Sequence, residues 1–170
     1  HGSIGHIVSR KKLKIFYDLV WGKRIFKETR RFIALTSTEA EAHERMGIHA
    51  SMIDIIPNGI DSDVLNQIPP VGGFVRKNGI NERIILYLGR MHPSKGIDVL
   101  IEAYSKLCED EINAKLVLAG PDDGFKSILV KKAERLDIES KIFFAGMLSE
   151  SEKMEALVDA AVFVTPRFFG

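Results

Sequence analysis

The chain has 170 residues, enough to bury a real core in one domain or a little more. Hydrophobic residues make up 45% of it and charged ones 28%, the balance of a globular protein, and a formal net charge of +1 gives no global reason to expect nucleic acid. Cys108 is the single cysteine, which excludes an internal disulfide and makes a reducing compartment the default. No apolar run approaches the roughly 20 residues needed to cross a bilayer, and no signal peptide is visible. The chain opens at "HGSIG" without a methionine and stops at "TPRFFG" directly after a strand-like run. A piece of a longer protein is therefore expected.

The first distinctive stretch is basic. Over residues 10–31, Arg10, Lys11, Lys12, Lys14, Lys23, Arg24, Lys27, Arg30 and Arg31 stand against only Asp18 and Glu28. Ile15, Phe16, Leu19, Val20, Trp21, Ile25 and Phe26 supply an apolar stripe, interrupted at Gly22. A basic amphipathic helix with a tryptophan can lie on an anionic membrane surface, and an ordinary helix with a solvated basic face has the same pattern. Next, "RFIALTSTEAEAHERMG" reads as a strand, a helix capped at Thr36 with Glu39, and a stop at Gly47. "SMIDIIPNGID" follows as a strand ending in the turn signal Pro57-Asn58-Gly59. A domain boundary is placed there, giving 1–57 and 58–170. Residues 61–82, with "IPPVGGF" and "KNGINE", are turn-rich and are expected on the surface as a connection.

From Ile84 onward, strands and helices alternate. "IILYL" is a buried strand, and helical spacing runs from about Lys95 to Cys108 through Ile97, Leu100, Ile101, Tyr104 and Leu107. "KLVLAG" is a second strand, closed by the turn "GPDDG", whose Asp122 and Asp123 read as turn chemistry. A helix from about Phe125 to Leu136 leads to the strand "KIFFAG". Ser149 and Glu152 form a capping box for a helix reaching about Val158, and "AVFVTP" closes as a fourth strand. This alternation implies right-handed crossovers and a parallel sheet, half of a Rossmann-like doubly wound α/β domain.

In "GRMHPSKGIDVL", Arg90 and Lys95 sit where a helix is expected to begin, an end that already carries partial positive charge. Asp98 in the first turn offsets part of this. Two cations at the carboxyl end of a parallel strand make sense if an anion sits there, held also by backbone N–H groups. The plain alternative is that both side chains point into water. The segment is neither a Walker loop nor a GxGxxG turn. His6, His43, His49 and His92 show no metal-ligand spacing and read as surface residues.

The series "IIPNGID", "ILYLGRMHPSKGIDVLIEAY", "KLVLAGPDDG" and "IFFAGMLSESEKMEALVDAAVFVTP" resembles the retaining GT-B-fold glycosyltransferases, the large family that includes bacterial and archaeal mannosyl- and glucosyltransferases. The resemblance covers nearly all of residues 30–166, in family order. It implies two Rossmann-like domains facing across a cleft, of which this chain carries the end of the acceptor-side domain (1–57) and a truncated donor-binding domain (58–170). It implies transfer of a mannose- or glucose-type hexose from a UDP- or GDP-sugar to a glycan or lipid-linked acceptor, with no metal or redox cofactor. Arg90 and Lys95 would hold the donor's diphosphate beside Gly89. Gly146, Met147 and Leu148 would meet the nucleobase through their backbone, and Asn58 and Gly59 would lie near the donor. His1, followed by Gly2, would face the acceptor and the transferred sugar, although a cloning remnant gives the same two residues.

One family feature does not match. The resemblance calls for a glutamate, seven residues and a second glutamate, yet Phe169 or Arg167 stands where the first is due, and the second falls beyond Gly170. This chain alone is not expected to catalyse the reaction. Competing readings are a nucleotide-sugar epimerase on the same architecture, a non-catalytic nucleotide-sugar-binding module and, more weakly, nucleic-acid binding through 10–31. The expected location is the cytoplasm, peripheral at the inner membrane face if 10–31 docks there. Residues 10–31 should then confer cosedimentation with anionic vesicles, at about 1 kcal/mol per basic residue near the surface, weakening with salt. Equal cosedimentation with neutral vesicles would remove the electrostatic argument.

Overall fold

The computed structural model describes residues 28–59, 68–110 and 112–166. His1, Gly2, His6, most of the basic stretch 10–31, and Arg167 and Phe169 lie outside the described residues. The chain divides into two compact units between Ser62 and Asp63.

In the first unit, β1 (Phe32–Ala34) and β2 (Ile53–Ile55) pair in parallel, with α1 (Ser37–Arg45) between them in sequence. Thr36 caps α1 as expected, its hydroxyl accepting from the Glu39 N–H at 3.2 Å. Glu39 reaches back one residue further than a capping box requires, accepting from the Leu35 N–H at 2.7 Å. The helix stops at Met46, and Gly47 follows with φ of 89°. His43 is not on the surface: it lies on the inner face of α1 three residues after Ala40, only 5% exposed, with its ring 6.0 Å from that of Phe32. His49 is exposed, its Nδ1 accepting from the Ser51 N–H.

The second unit is a four-stranded, wholly parallel sheet in the order β5-β4-β3-β6. Its elements are α2 (Gly73–Lys77), β3 (Arg83–Leu88), α3 (Ile97–Glu109), β4 (Ala114–Ala119), α4 (Lys126–Arg135), β5 (Ile142–Gly146), α5 (Glu150–Asp159) and β6 (Ala160–Phe163). Alternation along the strands builds two cores. Tyr87, Leu116 and Leu118 face α3 and α4, through Ile101, Tyr104 and Leu129. Ile84, Leu86 and Val117 face α2 and α5, through Phe74 and Ala156.

Two expectations are corrected here. Residues 73–80 are not a surface connection, because Phe74 (1% exposed) and Ile80 are core residues and α2 packs over the sheet. Gly and Pro signals in this stretch mask a short helix that one aromatic side chain anchors. On α3 the buried stripe runs Ile97, Leu100, Ile101 and Tyr104 and then reaches Cys108, which is partly buried against the core, whereas Leu107 is exposed. A step of four residues from Tyr104 keeps the face; a step of three leaves it. Tyr104 earns its burial with a polar tip, the hydroxyl donating to the Ala114 carbonyl at 2.6 Å.

The capping box of α5 is present, with the Ser149 N–H donating to Glu152 at 3.0 Å and the Glu152 N–H to the Ser149 hydroxyl at 3.3 Å. Lys77 also bonds Glu152 and, with Ser149, holds its carboxyl down at about 2. At the other end of α5, Asp159 accepts from the backbone N–H of Gly72 and, at 3.0 Å, from that of Val75. This single carboxylate caps α2 and fixes it to α5. Asp159→Ala should therefore lower stability by about 1–2 kcal/mol in urea unfolding, and Asp159→Asn by less, since the amide keeps one acceptor oxygen.

Candidate functional site

Beyond the carboxyl ends of the strands, backbone hydrogen bonds continue the sheet into its loops. The Gly89 N–H donates to the Ala119 carbonyl at 2.9 Å, the Gly120 N–H to Gly146 at 2.7 Å, and the Met91 N–H to Pro121 at 2.9 Å. The Asp123 N–H donates back to the Met91 carbonyl at 3.3 Å, so residues 89–91 and 120–123 stay zipped past the strand ends. Gly120 makes this approach geometrically feasible. Its φ is 138°, and a Cβ there would lie 2.0 Å from the Gly89 carbonyl oxygen.

Arg90 projects from this ribbon between Gly89 and the buried Met91. Its carbonyl accepts from the Tyr87 hydroxyl at 3.0 Å. Burial pushes the Tyr87 phenol up, against the opposing pull of the Arg90 guanidinium, which keeps the hydroxyl a donor. The Arg90 guanidinium donates to the Asp123 carboxylate at 3.1 Å, with the two side chains 63% and 46% exposed. A pair this solvated contributes about 0–1 kcal/mol.

Lys95 does not stand in the first turn of the helix, as expected from sequence. It ends a separate 3₁₀ turn, Pro93–Lys95, capped by His92, whose Nδ1 accepts from the Ser94 N–H at 3.2 Å. Gly96 then takes a left-handed φ of 67° and α3 begins at Ile97, with Asp98 in its first turn. Pro93 and Gly96 are the physical reason: one fixes the turn, the other breaks helical continuity. Among the described residues Lys95 has no ion-pair partner.

Arg90 and Lys95 line one cleft of about 470 Å³ together with Tyr87, Leu88, Gly89, Thr165 and Pro166. It lies at the carboxyl ends of β3 and β6, where the strand order reverses, the place at which open parallel sheets receive ligands. A second cleft of about 320 Å³ shares Gly89 and Arg90 and runs over Gly120 to Met147, Leu148 and Lys153. Met147 and Leu148 thus line a cleft together with Gly89 and Arg90, and the Gly146 carbonyl accepts from Gly120 at its edge. Met147 is 78% exposed, whereas the Leu148 side chain is in the core with Phe74 and Ala156. Asn58 and Gly59 belong to the first unit, exposed after β2. Among the described residues no three His, Cys, Asp or Glu side chains converge as metal ligands.

Sequence reasoning missed Tyr87, Gly120 and Asp123. Asp122 does perform turn chemistry, accepting from the Lys126 and Phe125 N–H groups, which hold its carboxyl below the usual range. Asp123 does not; it pairs with Arg90. The signal was a surplus acidic residue at the end of the strand next to the one carrying an unpaired arginine.

The second unit has the Rossmann-like parallel α/β fold of one half of a GT-B architecture. The chain superposes with a TM-score of 0.71 and 18% identity on Anabaena HepE, solved with UDP and glucose, over 93% of this chain and 42% of that one. A glycosyltransferase from Rickettsia africae superposes with a TM-score of 0.72 at 20% identity, over 92% of this chain and 41% of that one. The family described as glycosyl transferases group 1 matches residues 74–169, and the chain belongs to it. Mannosylfructose-phosphate synthase of Agrobacterium fabrum is 30% identical over 166 residues, 90% of this chain and 35% of that protein. Phosphatidyl-myo-inositol mannosyltransferase of Mycobacterium leprae is 28% identical over 118 residues, 68% of this chain and 29% of that protein. The chain therefore spans about a third of the length of these relatives.

The zipped loops yield a test. Gly120→Ala forces a side chain into the Gly89 carbonyl and should cost roughly 1–3 kcal/mol or more in thermal unfolding. Gly124→Ala is the comparison: its φ is 80° and nothing lies within 4 Å, so it should cost only roughly 1–2 kcal/mol of backbone strain. If both lose the same stability, the Gly89 contact carries none of the effect.

Proposed function

We propose that this chain is the donor-binding part of a retaining glycosyltransferase. The full-length protein would move a mannose- or glucose-type hexose from a UDP- or GDP-sugar to a glycan or lipid-linked acceptor. Residues 1–57 would end the acceptor-side domain and 58–170 would bind the donor. The observation that carries this reading is that Arg90 and Lys95, apart in sequence and on different turns, line one cleft at the switch point of a parallel sheet. HepE, solved with UDP and with UDP-glucose, and the mannosyltransferase names among the relatives support the donor class.

The bond broken is the one between the anomeric carbon and the oxygen of the donor's β-phosphate, and the negative charge develops on that oxygen. A guanidinium and an ammonium fixed beside it stabilise the leaving nucleoside diphosphate more than the bound donor, which lowers the barrier. In this reading charge neutralisation falls to these two side chains rather than to a metal ion, so transfer should survive chelators. Gly146, Met147 and the Leu148 backbone take the base. On the family resemblance, His1 would serve the transferred sugar, and the basic composition of 10–31 would favour an anionic membrane surface.

Calorimetry of the full-length protein tests the core of this. UDP or GDP should bind far better than uridine or guanosine. Arg90→Ala and Lys95→Ala should each weaken diphosphate binding by about ten- to a hundredfold and leave nucleoside binding nearly unchanged. Lys95→Ala should leave the ligand-free melting temperature nearly unchanged, because among the described residues its ammonium has no ion-pair partner to lose. Equal affinity for nucleoside and diphosphate would mean that the two cations merely face water.

A further inference from the structure

The two cations of the cleft are not equivalent. Lys95 has no anionic partner among the described residues, whereas Arg90 is engaged by Asp123 at 3.1 Å. That engagement is built into the backbone. Asp123 is held by its N–H on the Met91 carbonyl, and Arg90 by its own carbonyl on the Tyr87 hydroxyl, so both side chains leave anchored positions on adjoining loops. A carboxylate fixed at the edge of a site for phosphates is unfavourable for the anion that must bind there, so its presence asks for a reason.

We propose that Asp123 sets the affinity of this cleft: it is an internal anion that occupies Arg90 in the free protein and must be displaced by the ligand. The inference rests on the reading of Arg90 and Lys95 as a diphosphate site. With Arg90 neutralised locally, an approaching anion first meets Lys95. A lone phosphate held by Lys95 has no second group with which to compete for the guanidinium. A diphosphate held there brings a further phosphoryl group, whose two oxygens can take the guanidinium fork in a bidentate contact that the single Asp123 contact does not match. Asp123 thus lowers affinity for an anion that spans both cations by the cost of breaking the ion pair, and for one held by Lys95 alone by less. It also gives Arg90 somewhere to return when the nucleoside diphosphate leaves.

The test compares wild type, Asp123→Asn, Arg90→Ala and Glu139→Gln in the full-length protein, titrated with inorganic phosphate, inorganic pyrophosphate, UDP and GDP. Glu139 lies at the opposite edge of the sheet, before β5, and controls for net charge. Asparagine keeps the shape of Asp123 and its backbone bond, so the melting temperature should be nearly unchanged. Asp123→Asn should tighten diphosphate binding by about two- to fivefold, the size of an exposed ion pair, and phosphate binding by less, widening the preference between them. Glu139→Gln should change neither. Unchanged or weaker diphosphate binding in Asp123→Asn, with Arg90→Ala still impaired, would overturn this inference alone, and weaker binding would make Asp123 an orienting residue instead. Undiminished binding in Arg90→Ala would overturn the diphosphate site itself and this inference with it.

Discussion

The carbonyl of Gly89 occupies the space that a side chain at position 120 would need, and the shape of the cleft follows from that contact. Parallel strands normally part at their carboxyl ends as each chain turns into its crossover helix. Here two glycine backbones close that gap, and the hydrogen-bond ladder runs on to Met91 and Asp123 before the loops separate. A flat shelf of main chain results, with side chains only at its margins. Rigidity at this point matters for electrostatic chemistry, because charges that are already in place need no reorganisation when the reaction needs them.

The margins of the shelf carry unequal charges. Arg90 stands on the ribbon itself, buttressed by Tyr87 below and Asp123 beside it, while Lys95 stands on a short turn of its own, isolated by Pro93 and Gly96. The separation puts Lys95 immediately before the N-cap Gly96 rather than in the helix, still beside the partially positive end of α3. Membership of the glycosyl transferases group 1 family gives the arrangement its context, and the geometry says how the parts divide the work.

Period and punctuation made most of this architecture legible. The β3-to-β6 alternation, the Ser149–Glu152 box, and the Thr36 cap are local signals whose physics is complete within four residues. Arg90 and Lys95 stood out because a cation where a helix is expected to begin is locally unfavourable. What escaped detection was non-local. Phe74 looks like a loop residue among glycines and prolines until Ile84 and Ala156 cover it. Glycine at 120 looks like any turn glycine until Gly89 is set against it, and Asp123 looks like Asp122 until Arg90 arrives from another loop. His43 was misjudged for a related reason: one position on a short helix decides between solvent and core, and a polar side chain gives no clue which.

The carboxylate of Asp159 joins points 84 residues apart, since it accepts from Val75 while its own helix leads straight into β6. This has a consequence for the order in which the second unit assembles. The strands β3 to β5 and their crossovers can collapse as they emerge during synthesis, each pairing with its predecessor. The helix α2, made first, can rest Phe74 on β3 and β4, but it has neither its Asp159 cap nor Ala156 beside it until α5 is complete. Its docking and the insertion of β6 beside β3 are then one closure event, long in loop length and therefore late. A nascent chain paused before residue 159 would leave α2 uncapped and the α5 side of the sheet only partly covered, the stage at which a chaperone would have most to hold.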